Sequence, residues 1–333
     1  MTGWVLLAAL FLVFAAYLWE RSRRRSHAVT EGLHSEIDLL HTATWELYHN
    51  DFSRCSKKVR VCLAELGIDC KSHPVDLVET GAYENISSRF LAVNPAATVP
   101  VLVHRGHPIY ESHAQIRYAA AECGQPDALV PADDTARAVM DRWVYLTSLI
   151  GDDPIAGMRE TAGNAVPGLT LRIFATMIEA IGIAKILEGL LFHRFKQRAL
   201  FFLMLKLRGP SKLPRTKPLV RAIAGSRAAM AMHLDALEET LTESGGPWIV
   251  GAEFSLADVG MMAILDRLRE GDWLETFLTD ERPKVRNYWA ALQARPSYRS
   301  AIAGFEHPTV VRGTARLIEL KQSDPSFREA LSG

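Results

Sequence analysis

The sequence predicts an α/β domain followed by an all-helical domain, with one apolar helix at the N-terminus that is long enough to cross a membrane. Three features predict this order. The first 19 residues have no charged side chain, residues 45–126 alternate short strand-like and helix-like segments, and the chain beyond Asp133 has helical periodicity. A length of 333 residues accommodates two domains of ordinary size.

The composition excludes several classes of protein. Lysine plus arginine and aspartate plus glutamate number 38 each, so the net charge does not indicate a nucleic-acid partner. The cysteines (Cys55, Cys62, Cys70 and Cys123) form no CxxC pair and lack metal-ligand spacing, so we predict no metal site and no disulfide framework. Unpaired cysteines favour a reducing compartment.

The N-terminal segment predicts a transmembrane anchor at residues 1–20. Its apolar run, Gly3–Trp19, is 17 residues long, and a bilayer core of about 30 Å needs about 17 to 25 residues. Trp4 and Trp19 lie near the two ends of the run, where amphipathic rings prefer the membrane interface. Four arginines follow at once: Arg21, Arg23, Arg24 and Arg25.

These arginines separate an anchor from a signal peptide. A signal peptide carries positive charge before its apolar run, whereas here the charge comes after it. The positive-inside rule then places the rest of the chain on the cytoplasmic side of a single-pass membrane protein. Residues 21–44 are interpreted as a basic tether.

The first domain begins with a strand, a loop and a helix. Trp45–His49 alternates bulky and polar residues, as a short strand does. Ser53 is a good N-cap for the helix that follows, and Gly67 is a good residue for its end. The helix is predicted from apolar residues at helical spacing: Val59, Cys62, Leu63 and Leu66.

The second half of this domain continues with a strand at Asp69–Val75 and a short helix at Glu84–Leu91. A hairpin is predicted around Arg105-Gly106, since strand-like residues flank it on both sides. Ser112 then begins a helix. Strand, helix, strand, helix, hairpin and helix in this order are the layout of a thioredoxin-like domain, which we assign to residues 45–126.

Together these pieces resemble the N-terminal domain of cytosolic glutathione transferases. The resemblance is carried by Leu47-Tyr48, Ser53, Lys58-Val59-Arg60, Leu63–Ile68, Asn94-Pro95, Thr98–Leu102 and Glu111-Ser112. Leu47-Tyr48-His49 together with Lys58-Val59-Arg60 is also similar to the ganglioside-induced differentiation-associated protein branch. The membrane anchor of that branch is C-terminal, whereas the one predicted here is N-terminal. The resemblance implies glutathione as co-substrate, a cis Val99–Pro100 bond and a possible homodimer.

By this resemblance, the hydroxyl of Ser53 contacts the glutathione sulfur. A thiol has a pKa of about 8.5, and a helix N-terminus with a hydroxyl donor stabilises the thiolate. Two other interpretations stay open: Ser53 only caps its helix, or Cys55 is the nucleophile of a thiol transfer through a mixed disulfide. Cys62 falls on the apolar stripe and is predicted to lie in the core.

The resemblance also implies how the ends of glutathione are held. Ser112 would bind the γ-glutamyl carboxylate and Glu111 its ammonium, while the backbone of Val99 beside Pro100 would pair with the cysteinyl unit. Thr98 stands where many members carry Lys or Gln for the glycyl carboxylate. Three residues could substitute: Arg54, His104 and His113.

The all-helical domain is assigned to residues 132–310, with a C-terminal tail at 311–333. One long helix is predicted from Ala136 to Ile150, and Ser255 with Asp258 predicts a capping box. A long insertion, about 154–224, contains a basic segment: residues 170–218 hold ten Lys or Arg and two Glu. This segment either lies on the membrane surface or simply extends the helical domain.

The function that these observations favour is conjugation of glutathione to a hydrophobic electrophile, or its reduction by glutathione, at a membrane surface. The expected partners are glutathione, the electrophile and membrane lipid, with no nucleic acid. An alternative from another class is a non-catalytic membrane scaffold or sensor built on the same fold. A second alternative is a Cys55-dependent thiol transferase.

Overall fold

The computed structural model describes residues 2–125, 128–151 and 153–332. Its N-terminal part contains a five-stranded sheet with the order β1-β5-β4-β2-β3. β2 pairs in parallel with β3, and the other pairs are antiparallel. The strands are β1 Gly32–Leu33, β2 Trp45–His49, β3 Lys71–Pro74, β4 Val101–His104 and β5 His107–Tyr110.

Helices α1 to α4 belong to the N-terminal part of the chain, which contains the sheet. The helices from α5 onward form the second, all-helical part. The first group is α1 Thr2–Arg23, α2 Arg54–Glu65, α3 Ser88–Leu91 and α4 Ser112–Glu122. The second group is α5 Asp134–Leu146, α6 Ala162–Met177, α7 Ile183–Phe192, α8 Lys196–Arg208, α9 Lys217–Ser244, α10 Leu256–Glu270, α11 Leu274–Phe277, α12 Pro283–Ala294, α13 Pro296–Ala301, α14 Pro308–Ser323 and α15 Pro325–Ser332.

The thioredoxin-like arrangement followed by a helical domain is confirmed. The Val99–Pro100 peptide bond is cis, as the resemblance implied. The hairpin turns at Arg105 and Gly106, whose φ angles of 52° and 88° give the left-handed pair that a tight two-residue hairpin requires. The end of α2 is also confirmed, since Gly67 follows it with a φ of 65°.

The segment interpreted as a tether is folded onto the sheet. Gly32 and Leu33 form β1 and pair with Tyr110 and Ile109 of β5. Further backbone hydrogen bonds hold the segment on both sides, one from the Leu39 N–H to the Gly106 carbonyl at 2.8 Å. The interpretation of residues 21–44 as a tether is therefore wrong: the segment supplies the edge strand of the sheet.

The helical part differs from expectation at both ends. The helix predicted to reach Ile150 ends at Leu146, where α5 gives way to a loop. The residues assigned to a C-terminal tail form most of α14 and all of α15, and Leu317 and Phe327 are fully buried. The predicted capping box is present, with the Ser255 N–H donating to Asp258 Oδ2 at 2.8 Å.

The insertion contributes both core and surface. α6 is buried along most of its length and packs between α9 and α14, so it belongs to the core of the helical domain. α7 packs instead on the sheet domain, where Gly189 lies so close to Tyr83 that an added Cβ would sit 2.5 Å from the tyrosine oxygen. The opposite face of α7 is exposed.

α1 is long and apolar enough to cross a membrane, and its apolar side chains from Trp4 to Trp19 are largely exposed. Its C-terminal end is attached to the folded body. Arg24 Nη1 donates to Glu188 of α7 at 2.7 Å, and Arg23 Nη2 donates to Ser88 of α3 at 3.2 Å. The apolar helix is thus joined to both domains by direct contacts.

Candidate active site

The N-terminus of α2 forms one side of the candidate site. Ser53 is its N-cap residue, and its Oγ accepts a hydrogen bond from the Ser56 N–H at 3.2 Å. The loop before it is fixed by Asn50, whose Oδ1 accepts from the Phe52 and Ser53 N–H groups and whose Nδ2 donates to the Val75 carbonyl. Asn50 therefore fixes the backbone of Ser53, and the Ser56 N–H fixes its hydroxyl oxygen.

The cis-proline loop lies opposite this helix end. The Ser53 hydroxyl donates to the Val99 carbonyl over 3.5 Å, a long bond that a better acceptor would replace easily. Asn94 Nδ2 holds the loop through the Thr98 carbonyl at 2.8 Å, and Gln115 Nε2 donates to the Pro100 carbonyl at 2.9 Å. The structure thus brings Ser53 and Val99 together, as the resemblance predicts.

Glu111 and Ser112 lie at the start of α4. Glu111, not Ser112, occupies the cap position, with a φ of 65° that is uncommon for a residue with a side chain. Ser112 is buried as the first residue of the helix, whereas the Glu111 side chain is exposed. Strained backbone of this kind persists where surrounding structure fixes it, and it is concentrated at ligand-binding positions.

A buried cation lies beneath these residues. Lys58 is fully buried on α2, and its Nζ donates to Ser148 Oγ of the helical domain at 3.4 Å. Burial, reinforced by the nearby charge of Arg54, lowers the pKa of Lys58 to about 8, while Cys55 and Glu111 act in the opposite direction. Lys58 therefore lies within electrostatic reach of Cys55 and Glu111. The sequence analysis did not predict a role for Lys58 at the site.

The cysteines differ in accessibility. Cys55, the second residue of α2, is half-buried. Cys62 is fully buried in the core as predicted, and burial raises the pKa of its thiol far above the ordinary range. Cys62 is thus inert, and Cys55 is the thiol at the candidate site.

A cavity of about 550 Å³ opens beside Glu111, between the sheet domain and the loop that follows α5. Its walls come from both domains and include Glu111, His113, Arg117, Tyr145, Ser148 and Ile150. Ser53 and Cys55 are not in its walls, so the cavity adjoins the Glu111 side of the candidate site. A cavity of about 580 Å³ between α4 and α5 touches none of the predicted site residues.

The three residues expected to substitute for a basic side chain at Thr98 are engaged elsewhere. Arg54 is buried and donates to the Thr147 carbonyl at 2.6 Å. His104 hydrogen-bonds Tyr118 at 2.9 Å, and His113 pairs with Glu31 at 2.8 Å. None of these three contacts is made with the Thr98 loop. In the described ranges, no cluster of three His, Cys, Asp or Glu could hold a metal ion.

Comparison with known proteins agrees with this geometry. The family model described as the glutathione S-transferase N-terminal domain matches residues 52–122, and the one described as the glutathione S-transferase C-terminal domain matches residues 222–300. The chain is 29% identical over 266 residues to glutathione S-transferase TCHQD of Arabidopsis thaliana, covering 78% of this chain and 90% of that protein. It is 26% identical over 267 residues to glutathione S-transferase 3 of Zea mays, covering 80% and 96%.

A solved structure supports the same fold. The beta-etherase LigF from Sphingobium sp. strain SYK-6 superposes with a TM-score of 0.60 and 21% identity, over 79% of this chain and all of that chain. A thioredoxin-like domain followed by a helical domain, both matched by family models, defines the class. The chain belongs to the glutathione S-transferase superfamily.

Proposed function

We propose that the protein is a glutathione transferase that conjugates glutathione to a hydrophobic electrophile. One observation carries this proposal: the Ser53 hydroxyl lies at the N-terminus of α2 and opposite the Val99 carbonyl of the cis-proline loop. A glutathione whose cysteinyl unit pairs with the Val99 backbone would place its sulfur at Ser53. Relatives named glutathione S-transferases support an enzymatic role.

The proposed reaction is nucleophilic. The thiol proton passes to solvent, and the sulfur lone pair of the thiolate forms a C–S bond to the electrophilic carbon. In substitution, a leaving group departs with the electron pair of the bond that it had to that carbon. In addition to a double bond, the π electron pair moves onto the neighbouring acceptor atom, which then takes up a proton from solvent. Ser53 and the end of α2 stabilise the thiolate, Glu111 and Ser112 bind the γ-glutamyl group, and Val99 and Pro100 hold the cysteinyl unit. A homodimer, common in the family, is part of the proposal.

Binding of glutathione is expected to weaken about 10- to 100-fold in Ser112→Ala, since a hydrogen bond to a charged group contributes about 1.5–3 kcal/mol. Isothermal titration of the full chain in neutral detergent measures this. Ser88→Ala, which changes another serine at a helix start of the same domain, is the matched control. Absence of glutathione binding in the unmodified protein would favour the scaffold alternative.

A second candidate, thiol transfer by Cys55, is favoured by the position of Lys58. Lys58 is a buried basic side chain three residues after Cys55 on α2, within electrostatic reach of it. In this reaction the Cys55 thiolate attacks a disulfide, forms a mixed disulfide and releases the other sulfur as a thiolate. Glutathione thiolate then resolves the mixed disulfide. Loss of turnover in Cys55→Ser but not in Ser53→Ala would establish it.

We further propose that α1 anchors the protein in a membrane with the folded domains on the cytoplasmic side. The support is the apolar length of α1 and the arginines at its end. After alkaline carbonate treatment, the protein is expected to stay in the membrane pellet. This treatment releases peripheral proteins, whereas a protein with a helix that spans the bilayer is retained. Quantitative release into the supernatant would contradict the anchor.

A further inference from the structure

A basic cavity lies where the anchor helix meets the connection between α7 and α8. Its volume is about 250 Å³, and no acidic residue is among those that line it. Both the end of the anchor and the insertion contribute positive side chains. The basic residues of this cavity are Arg21, Arg24, Arg25, Arg194 and Lys196.

Most of this charge is not neutralised. Arg24 is bound to two carboxylates, Glu20 at 2.6 Å and Glu188 at 2.7 Å. Across the described ranges, the other four basic side chains of the cavity form no ion pair. Burial and the charge of Arg21 both lower the pKa of Lys196, which shows that like charges face each other there. An anion in the cavity would relieve this repulsion.

The remaining walls are neutral, and two of their side chains are held by contacts with their surroundings. His193 is buried, and its Nδ1 accepts the Phe195 N–H at 3.0 Å. Burial, with Arg198 nearby, lowers the pKa of His193 to about 4, so it is uncharged at neutral pH. Phe192 packs against the Tyr17 ring at 5.9 Å and under the Arg24 guanidinium at 4.6 Å. The cavity is therefore fixed to the last turns of the apolar helix.

An apolar stripe runs beside the cavity. Ile183, Leu187 and Leu191 are spaced four residues apart on α7 and are 47%, 41% and 48% exposed. Phe195, just beyond the helix, is 57% exposed. The opposite face of α7, with Gly189, packs on Tyr83. The basic cavity fits the phosphate group of a phospholipid, and the exposed apolar stripe beside it fits the acyl chains. Both lie near the end of the apolar helix α1.

We propose that this cavity binds the phosphate group of an anionic phospholipid in the cytoplasmic leaflet, with the acyl chains against the α7 stripe. Arginine and lysine side chains supply charge-assisted hydrogen bonds to phosphate oxygens. The inference rests on the proposed membrane anchoring and adds a specific lipid site to it. Because α7 also packs on the sheet domain, a bound lipid would fix the orientation of the candidate active site relative to the bilayer.

The test is titration of the full chain in neutral detergent with short-chain phosphatidylglycerol, followed by native mass spectrometry or by the thermal midpoint. Binding is expected to be at least about tenfold weaker in the Arg194→Gln/Lys196→Gln double variant, since a basic residue near an anionic lipid contributes about 1 kcal/mol. The control Lys212→Gln/Arg215→Gln removes equal charge from exposed residues of the same insertion outside the cavity and should bind like the unmodified protein.

Two further titrations identify the source of the phosphate. Short-chain phosphatidylcholine and inorganic phosphate are both expected to bind at least about tenfold more weakly than phosphatidylglycerol. Phosphatidylcholine lacks the net negative charge, and inorganic phosphate lacks the acyl chains. Equal affinity for either one, or equal loss in the control variant, overturns the proposal. The short-chain lipid is soluble, so its binding does not depend on whether α1 spans a membrane. Release by carbonate would therefore contradict the anchor alone, and loss of phosphatidylglycerol binding would contradict the lipid site alone.

Discussion

Replacing Ser53 by alanine is expected to reduce kcat/KM for conjugation of glutathione to 1-chloro-2,4-dinitrobenzene about 10- to 100-fold at pH 6.5, through loss of one charge-assisted hydrogen bond to sulfur. The deficit should shrink at pH 9. A thiol with its ordinary pKa of about 8.5 is mostly ionised there without help from the protein. Initial rates measured across this pH range, in the full chain, give both quantities.

The physical reason lies in the two roles of the Ser53 hydroxyl. Its oxygen accepts from the Ser56 N–H, which leaves its proton free to be donated. The present acceptor, the Val99 carbonyl at 3.5 Å, is weak. A thiolate is a stronger acceptor, and the N-terminus of α2 adds a partial positive charge. Lowering the pKa of glutathione by two units needs about 2.7 kcal/mol, which these two contributions can supply.

A cap residue can also lower activity simply by destabilising its helix, so a second variant is needed. Ser53→Asp keeps a good N-cap but places a negative charge where the thiolate forms. It should therefore be as stable as the unmodified protein and yet at least as slow as Ser53→Ala. Full activity in Ser53→Asp, with a normal pH profile, would show that Ser53 only caps α2.

The fold was predictable where its signals are local. The N-cap at Ser53, the turn at Arg105 and Gly106, and the box formed by Ser255 and Asp258 each depend on residues only a few positions apart. β1 was not predictable, because two residues carry no periodicity. This strand exists only because the edge of β5 offers free backbone groups for pairing.

The candidate site was predictable only in part, for a related reason. The resemblance predicted that Ser53 and Val99 belong to one site, and the Ser53 hydroxyl lies 3.5 Å from the Val99 carbonyl. Lys58, Asn50 and Gln115 were missed. Lysine is rarely buried, yet Lys58 is fully buried and donates to Ser148, a residue of the helical domain 90 positions further on. Such contacts depend on how the domains dock, which no local pattern encodes.

The largest effect on stability is expected at Lys57, which joins the two domains beneath the site. Its Nζ contacts Asp266 at 2.5 Å and Glu270 at 2.6 Å, and all three side chains are buried. Lys57→Met leaves two buried carboxylates with fewer partners. Removing one member of a buried ion pair costs about 3–5 kcal/mol. For a cost of about 3 kcal/mol, the thermal midpoint should fall by roughly 6–12 °C, given about 2–4 °C per kcal/mol for domains of about 150–250 residues.

The expected cost lies at the lower end of that range because other cations remain. Arg269 contacts Asp266 at 2.8 Å, and Arg267 contacts Glu270 at 2.9 Å. Lys284→Met, the same change at an exposed lysine, is the control and should leave the midpoint unchanged. Since Lys57 lies in the first turn of α2 and its N–H donates to the Ser53 carbonyl at 3.0 Å, Lys57→Met should also lower conjugation.

The pH dependence separates loss of this ion pair from loss of packing. Burial alone would raise the pKa of Asp266, but the charges of Lys57 and then Arg269 outweigh it and lower the pKa below its ordinary value. The stabilisation is therefore complete above the unfolded pKa of about 3.9 and is lost as the pH falls through the lower folded value. The difference in midpoint between the unmodified protein and Lys57→Met should be full at pH 7 and clearly smaller at pH 3. A difference that stays constant over this range would mean that the methylene groups of Lys57, rather than its charge, hold α2 against α10.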